Sequence, residues 1–186
     1  MGDDRAPRRK GAEVNSRKLP VVVVDDDPDV LRDDVAYLGF DYPGREVVTY
    51  QQLTSAVPAL IRREEPFVLI LDHDFPPEGG TTRLEGHVLA TRLRERHPWG
   101  MLLPICYRSG RFSATAWTEL TATEGSFAPT MYVDKASMGV VGCVEMLDSA
   151  FARTRQAWLR QAELLLEYSD YDDLEDVVPT FPPDPE

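Results

Sequence analysis

Short apolar runs alternate along this chain with longer segments in which apolar residues recur every three or four positions. The runs LPVVVV (19–24) and FVLIL (67–71) are continuous, which is typical of strands buried on both faces of a parallel sheet. Shorter runs predict three more strands, at 46–50, 102–107 and 130–133. Helical patterns follow them at 28–38, 55–65, 84–97, 112–123 and 137–168. The first places Val30, Leu31, Val35 and Leu38 on one core-facing side and is expected to end at Gly39. Five β-α repeats predict an α/β fold, a doubly wound five-stranded parallel sheet with helices on both faces.

The ends of the chain differ in charge from its body. Residues 1–18 carry six basic and three acidic side chains, whereas residues 167–186 carry eight acidic and no basic ones. We expect a disordered basic tail over 1–18, a folded domain over 19–150, and an extension of the last helix over 151–168. Residues 169–186 would form an acidic, proline-rich disordered tail.

The bulk composition excludes several classes of function. A net charge of -12 argues against a general grip on nucleic acid. No apolar run approaches the roughly 20 residues of a membrane span, and residues 1–18 lack the apolar core of a secretory signal, so we expect a cytoplasmic protein. The two cysteines, Cys106 and Cys143, lie among apolar residues and are interpreted as buried reduced thiols.

Polar side chains follow four of the five predicted strands. Asp25, Asp26 and Asp27 follow the first strand, and Asp72, His73 and Asp74 follow the third. Arg108 and Ser109 follow the fourth, and Asp134 and Lys135 follow the fifth. Ligands of open α/β sheets bind beyond these carboxyl ends. Clustered carboxylates repel one another unless a cation lies among them, and a hard divalent ion with oxygen ligands, Mg²⁺, suits a site that also handles phosphate. A lysine and a hydroxyl nearby suit phosphoryl transfer to a carboxylate.

At this point the residues resemble a known family, the CheY-like receiver domains of two-component response regulators. The resemblance covers about residues 18–150. It rests on the acidic pair in VVVVDDD, on LILDHDFP with Pro76 four residues after Asp72, on PICYRSG with Ser109, and on MYVDK with Tyr132 and Lys135. Each motif is weak alone, but together they stand in the family's order, each at a strand end.

The resemblance implies a role for each matching residue. Asp72 would be the phosphoacceptor, with Lys135 and Ser109 assisting phosphoryl transfer. Mg²⁺ would be held by Asp25, Asp26, Asp72 and the backbone carbonyl of Asp74. Ser109 and Tyr132 would then form the switch that alters the surface near the fourth helix, the fifth strand and the last helix.

The implied function is a stand-alone response regulator, an Mg²⁺-dependent phosphorylation switch on Asp72 that signals through protein–protein contacts. It would not be an enzyme beyond its own phosphorylation and slow autodephosphorylation. Its partners would be a histidine kinase or phosphotransfer protein and a downstream protein, with no nucleic acid and no membrane. The last helix carries an imperfect heptad seam from Val140 to Leu165, which predicts either pairing with a second copy or partner, or packing back onto the domain.

Three features depart from the family pattern. The loop from Asp72 to Gly86 is several residues longer than usual, Ala136 replaces the proline that normally follows the lysine, and GSFAPT replaces a small Gly-Ala step. An alternative function is therefore a pseudo-receiver, an interaction module that keeps the fold without being phosphorylated. Less favoured is a haloacid dehalogenase-like phosphatase, in which Asp72 and Asp74 would form a DxD motif and Asp172 and Asp173 a later acidic pair.

Four further residues have ordinary interpretations. Asp27, followed by Pro28, is predicted to cap the first helix. His73 is interpreted as a solvated loop histidine, and Arg108 as an exposed cation. Asp74 could face the site and steer the water that hydrolyses an aspartyl phosphate, or it could be solvated.

Overall fold

The computed structural model describes residues 18–77, 84–110 and 130–168. Its elements in chain order are β1 (Val21–Val24), α1 (Pro28–Asp41), β2 (Val47–Tyr50), α2 (Leu53–Ile61), β3 (Val68–Leu71), β4 (Asp74–Phe75), β5 (Leu84–Glu85), α3 (Gly86–Arg96), β6 (Ile105–Ser109), β7 (Thr130–Asp134) and α4 (Val140–Tyr168). The expected helix at 112–123, and the tails at 1–17 and 169–186, lie outside the described residues.

Five strands form one parallel sheet in the order β2-β1-β3-β6-β7. The predicted doubly wound α/β fold is confirmed. The chain runs from β1 out to β2 at one edge, then returns to β3 on the other side of β1 and continues through β6 to β7 at the opposite edge. The acceptor strand β3 lies at the centre of this sheet, with β1 and β6 as its neighbours.

The sheet is buried on both faces, which explains the continuous apolar runs. On one face Val22, Val24, Leu69 and Leu71 pack against α2 and α3, and on the other Val21, Val23, Val68 and Ile70 pack against α1 and α4. Because alternate residues of a strand point to opposite faces, every position of β1 and β3 must be apolar.

Several predicted boundaries were wrong by a few residues. Helix α1 does not end at Gly39 but continues to Asp41, and Val35, predicted to face the core, is 43% exposed while Asp34 is buried. Helix α2 ends at Ile61 instead of Glu65, and Pro58 lies in its second turn. Strand β6 starts directly after Pro104, which therefore lies outside the strand and removes no hydrogen bond from it.

The segment after Asp72 differs most from the expectation of an irregular loop. Strands β4 and β5 pair antiparallel as a two-stranded ribbon, with Asp74 opposite Glu85 and Phe75 opposite Leu84. Gly86 then donates its N–H to the His73 carbonyl over 2.7 Å, and a Cβ at position 86 would collide with the carbonyl oxygen of Asp72. The glycine is therefore required where the ribbon closes against the acceptor strand.

Helix α4 contacts the domain beyond residue 150. Phe151 lies 6.4 Å from Trp99 between ring centroids, and Thr154 is buried. Arg45, in the connection between α1 and β2, forms a bidentate ion pair with Asp148 at 2.7 and 2.8 Å. Of the two arrangements left open for the helix after Phe151, pairing with another chain or packing back onto the domain, contact with the domain continues at least one turn further, to Thr154. Among the described residues, no helix is long and apolar enough to cross a bilayer.

Candidate functional site

The site lies where β1, β3, β6 and β7 end at the same edge of the sheet. A cavity of about 570 Å³ opens there, and eight of the described residues line it: Asp26, Asp72, Asp74, Pro76, Pro77, Ser109, Gly110 and Lys135. Five of the residues predicted from the strand ends therefore share one cavity wall. Parallel strands bring these side chains together because their carboxyl ends meet at one edge.

Lys135 connects two of the buried carboxylates. Its Nζ donates to Asp72 Oδ2 over 3.0 Å and lies 2.7 Å from Asp25 Oδ2. Burial lowers the pKa of Lys135, but the hydrogen bonds to Asp25 and Asp72 outweigh burial, so that the pKa of the ammonium group is raised overall. The lysine is thus held charged between the ends of β1 and β3.

Three carboxylates form an acidic cluster, defined here as Asp25, Asp26 and Asp72. Their oxygens lie within 4.8 Å of one another. Burial raises the pKa of Asp25, although Lys135 opposes that shift, and burial together with the charge of Asp72 raises the pKa of Asp26. A cation among these carboxylates would offset both their burial and their mutual repulsion, and an all-oxygen donor set of this size fits a hard divalent cation such as Mg²⁺.

Ser109 lines the same cavity, and Tyr132 lies beside it on the neighbouring strand β7. Ser109 is 2% exposed and ends β6, where it pairs with Asp134 of β7. Tyr132 is half-buried, packs against the core and donates its hydroxyl to the Ser109 carbonyl over 3.1 Å. The proposed switch residues are therefore in direct contact, through the Ser109 backbone.

The segment after Lys135 has its own hydrogen bonds. The Ala136 N–H donates to Asp134 Oδ1 over 2.7 Å, and the Ser137 hydroxyl donates to the Asp134 carbonyl over 2.9 Å. A proline at position 136 would have no N–H to donate. The departure at Ala136 is therefore accommodated by an Asp134-centred turn.

Asp27 caps α1, as predicted. Its Oδ1 accepts from the N–H groups of Asp29 and Val30, at 2.9 and 3.4 Å, with Pro28 in the first turn. The Asp27 N–H in turn donates to Asp25 Oδ1 over 3.1 Å, so the cap also orients a member of the acidic cluster.

Arg108 is not the exposed cation expected from the sequence. Its Nη1 lies 2.6 Å from Asp34 Oδ2, with both side chains buried. Burial lowers the pKa of Arg108, and the hydrogen bond and charge of Asp34 outweigh that effect. Strand alternation directs Arg108 to the α1 face of the sheet, where Asp34 lies among the apolar residues of α1.

His73 is not the solvated loop histidine expected from the sequence. It is half-buried, and its ring lies 6.0 Å from the His87 ring and 6.0 Å from the Tyr107 ring. Its backbone N–H donates to Asp72 Oδ1 over 2.7 Å. Burial lowers the pKa of its imidazole. The contact between His73 and His87 could not be predicted from the sequence, in which 73–83 was interpreted as one loop. Only the pairing of β4 with β5 brings positions 73 and 87 together.

Both cysteines are free and buried, as expected. Asp172 and Asp173, the later acidic pair of the phosphatase hypothesis, lie outside the described residues.

No family model and no curated protein matches this chain. Solved structures do match. One is described as an adenylate cyclase from Rhodopirellula baltica, with 20% identity, a TM-score of 0.57, and coverage of 82% of this chain and 99% of that chain. Another is a CheY-like response regulator receiver domain from Methanospirillum hungatei, with 18% identity, a TM-score of 0.55, and coverage of 75% and 98%.

A third is the signal receiver domain of a LuxO repressor protein from Vibrio parahaemolyticus, with 13% identity, a TM-score of 0.58, and coverage of 76% and 96%. Further neighbours are also receiver domains. This chain therefore has the fold of CheY-like receiver domains, which confirms the resemblance at the level of the fold.

Proposed function

We propose that this protein is a response regulator receiver, an Mg²⁺-dependent phosphorylation switch on Asp72. The observation that carries the proposal is the bridge by Lys135 between Asp25 and Asp72, at 2.7 and 3.0 Å, inside an acidic cluster at the carboxyl edge of the sheet. A buried carboxylate beside a lysine and a cation site suits attack on phosphorus, where negative charge must be offset.

The side chains divide the work as follows. An oxygen of Asp72 forms the new bond to phosphorus, and the donor's bond to phosphorus breaks, so that an acyl phosphate replaces the carboxylate. Lys135 and Ser109 hold the phosphoryl oxygens. Asp25, Asp26, Asp72 and the backbone carbonyl of Asp74 would hold Mg²⁺, which supplies positive charge beside the phosphoryl group.

The output would start at Ser109. If its hydroxyl turns to donate to the phosphoryl group, the strand end that accepts the Tyr132 hydroxyl shifts, and the half-buried ring can adopt another rotamer. Tyr132 packs with Phe151 against the same apolar cluster, so the change reaches helix α4. This is a local charge change that biases a two-state element.

The partners follow from this function. A histidine kinase or phosphotransfer protein would supply the phosphoryl group, and a downstream protein would read the surface near Tyr132. A homodimer through α4 is a further expectation. Nucleic acid and membrane are not expected as partners, the compartment would be the cytoplasm, and chemistry would be limited to self-phosphorylation and slow autodephosphorylation.

A pseudo-receiver is the alternative, and the β4–β5 ribbon beside Asp72 favours it. One experiment separates the functions. The protein is incubated with Mg²⁺ and acetyl phosphate, and its intact mass is measured. One added phosphoryl group supports the switch, and no adduct supports the pseudo-receiver. Sustained release of phosphate from a phosphate ester in a parallel incubation supports the phosphatase.

Mg²⁺ should stabilise the folded protein through the acidic cluster. A ligand that binds only the folded state adds about 2.7 kcal/mol at 100 times its Kd. We expect an increase in Tm with Mg²⁺ that chelation reverses. Asp26→Asn should abolish that increase, whereas Asp33→Asn, on the exposed side of α1, should leave it intact. An equal increase in Tm for the unsubstituted protein, Asp26→Asn and Asp33→Asn would contradict the assignment of the Mg²⁺ site to the acidic cluster.

Asp74 should affect the lifetime of the phosphorylated form. It lines the cavity that contains Asp72, two residues from the acceptor. Asp74→Ala should change the rate of dephosphorylation, measured as the decay of the phosphorylated mass after acetyl phosphate is removed, because a carboxylate there can orient the attacking water. An unchanged decay rate would show that Asp74 plays no part in hydrolysis.

A further inference from the structure

We propose that His73, Glu85 and His87 form a second metal site, for a borderline divalent cation such as Zn²⁺, distinct from the acidic cluster. One ligand atom from each of the three side chains lies within 4.8 Å of the other two. The Nδ1 of His87 lies 3.0 Å from Glu85 Oε2, and the rings of His73 and His87 are tilted 31° to each other. This inference does not depend on the phosphorylation of Asp72.

The donor set selects the class of cation. Two imidazole nitrogens and one carboxylate oxygen are ligands typical of Zn²⁺ and of neighbouring transition metals, whereas Mg²⁺ prefers oxygen alone. Around a tetrahedral zinc with bonds of about 2.0–2.1 Å, ligand atoms lie about 3.3 Å apart. His87 and Glu85 are already near that spacing, so side-chain rotation would only have to bring His73 to a similar distance from both.

The backbone fixes the three ligand positions relative to one another. His73 follows the acceptor residue, Glu85 ends β5, and His87 lies in the first turn of α3. The β4–β5 pairing and the 2.7 Å hydrogen bond from the Gly86 N–H to the His73 carbonyl join these segments. Since the site is built on paired backbone, its formation requires little ordering of the chain.

The burial of the ligands suits a site with an open coordination position. The side chains of His87 and Glu85 are 35% and 47% exposed, which gives an ion access from solvent. His73 is half-buried, with the Tyr107 ring edge-on at 6.0 Å orienting its imidazole. Three protein ligands and one solvent-accessible position are typical of zinc sites that keep a bound water.

A simple histidine–glutamate ion pair explains less of this arrangement. An exposed pair of this kind contributes little to stability, and it leaves the third side chain of the cluster, His73, out of account. A bound cation would connect all three side chains and would fasten the residue after Asp72 to the start of α3.

Cobalt(II) is the probe for this site, because it replaces Zn²⁺ and absorbs visible light when bound with low coordination. The 186-residue chain is titrated with Co²⁺ in excess Mg²⁺, which competes for the acidic cluster. We expect one Co²⁺ per chain. His73→Gln and His87→Gln should each weaken binding at least about tenfold, the range seen even when residues that only support metal ligands are lost.

The control variants leave the three ligands in place. Glu85→Gln removes a proposed ligand and should weaken Co²⁺ binding. Its matched control is Glu95→Gln, at an exposed position of α3, which should leave Co²⁺ binding unchanged. Asp26→Asn should lose the Mg²⁺ response and keep the Co²⁺ bands. Co²⁺ bands that survive both histidine substitutions, or that disappear with Asp26→Asn, would overturn the proposal.

A measurement on the unmodified chain removes any dependence on variant folding. The sequence has three histidines, and His97 is buried against Phe67 at the opposite end of β3. In NMR spectra, paramagnetic Co²⁺ should shift or broaden the imidazole protons of His73 and His87 far more than those of His97, about 15 Å further along α3. Perturbation of one imidazole alone, of none, or of all three equally would also overturn the three-ligand site.

Discussion

Asp72→Asn is expected to abolish phosphorylation by acetyl phosphate, from one phosphoryl group per chain to none. A neutral carboxamide is a far weaker nucleophile towards phosphorus than a carboxylate, and it also removes one charge from the acidic cluster. The substitution should leave the fold intact, because asparagine has nearly the same shape and the Asp72 N–H bond to the Val24 carbonyl, 2.8 Å, belongs to the backbone. Intact mass spectrometry measures the outcome directly.

Asp74→Asn is the matched control for that experiment. Asp74 lines the same cavity two residues away, so the two variants differ in which carboxylate is lost and little else. Asp74→Asn should still accept one phosphoryl group, and hydroxylamine should release it, as expected of an acyl phosphate. Labelling that persists in Asp72→Asn would disprove the assignment of the acceptor.

Arg108→Met is expected to lower the free energy of unfolding by about 3–5 kcal/mol, the usual cost of removing one partner of a buried ion pair. Asp34 would remain in the α1 face of the core, 4% exposed at its side chain and without the guanidinium 2.6 Å away. This pair joins α1 to β6, the strand next to the central strand β3. Urea unfolding followed by tryptophan fluorescence or circular dichroism measures the change.

The double variant Arg108→Met with Asp34→Leu tests the cause of that loss. Replacing both charges by apolar groups should restore most of the stability, because no uncompensated buried charge remains. Arg32→Met serves as the surface control. Arg32 pairs with Asp29 on α1, the helix that carries Asp34, and this exposed pair should contribute nothing measurable to the free energy of unfolding. If the double variant is as unstable as Arg108→Met alone, the loss comes from side-chain packing and not from the charge of Asp34.

The predictions that held were those set by local pattern. Strand β1 and strand β3 were recognised because both faces are buried, which leaves no polar position to confuse the pattern. The cap at Asp27 was recognised because Asp followed by Pro has a specific local geometry at a helix start. The order of the elements then implied the sheet, since β-α alternation leaves few topologies open.

Apart from helix and strand ends that were wrong by a few residues, the predictions that failed concerned contacts between distant segments. Val35 was assigned to the core by helical spacing, yet Asp34 takes the buried position because Arg108, 74 residues away, neutralises it there. His73 and Arg108 were both assigned to solvent because polar residues near strand ends usually lie there. The residues that they contact, His87 and Asp34, are too distant in the sequence to be identified from the local pattern.

The amino-acid sequence by itself determined the α/β class, the five strands and the four strand ends that meet at one edge, because period and turn chemistry are local properties. Only the tertiary structure decided how those ends interact. It gave Lys135 two carboxylate partners, paired β4 with β5, brought His73 to His87 and buried Arg108 against Asp34. The physical reason is that a charge or a ligand is defined by its neighbours in space, and packing chooses those neighbours.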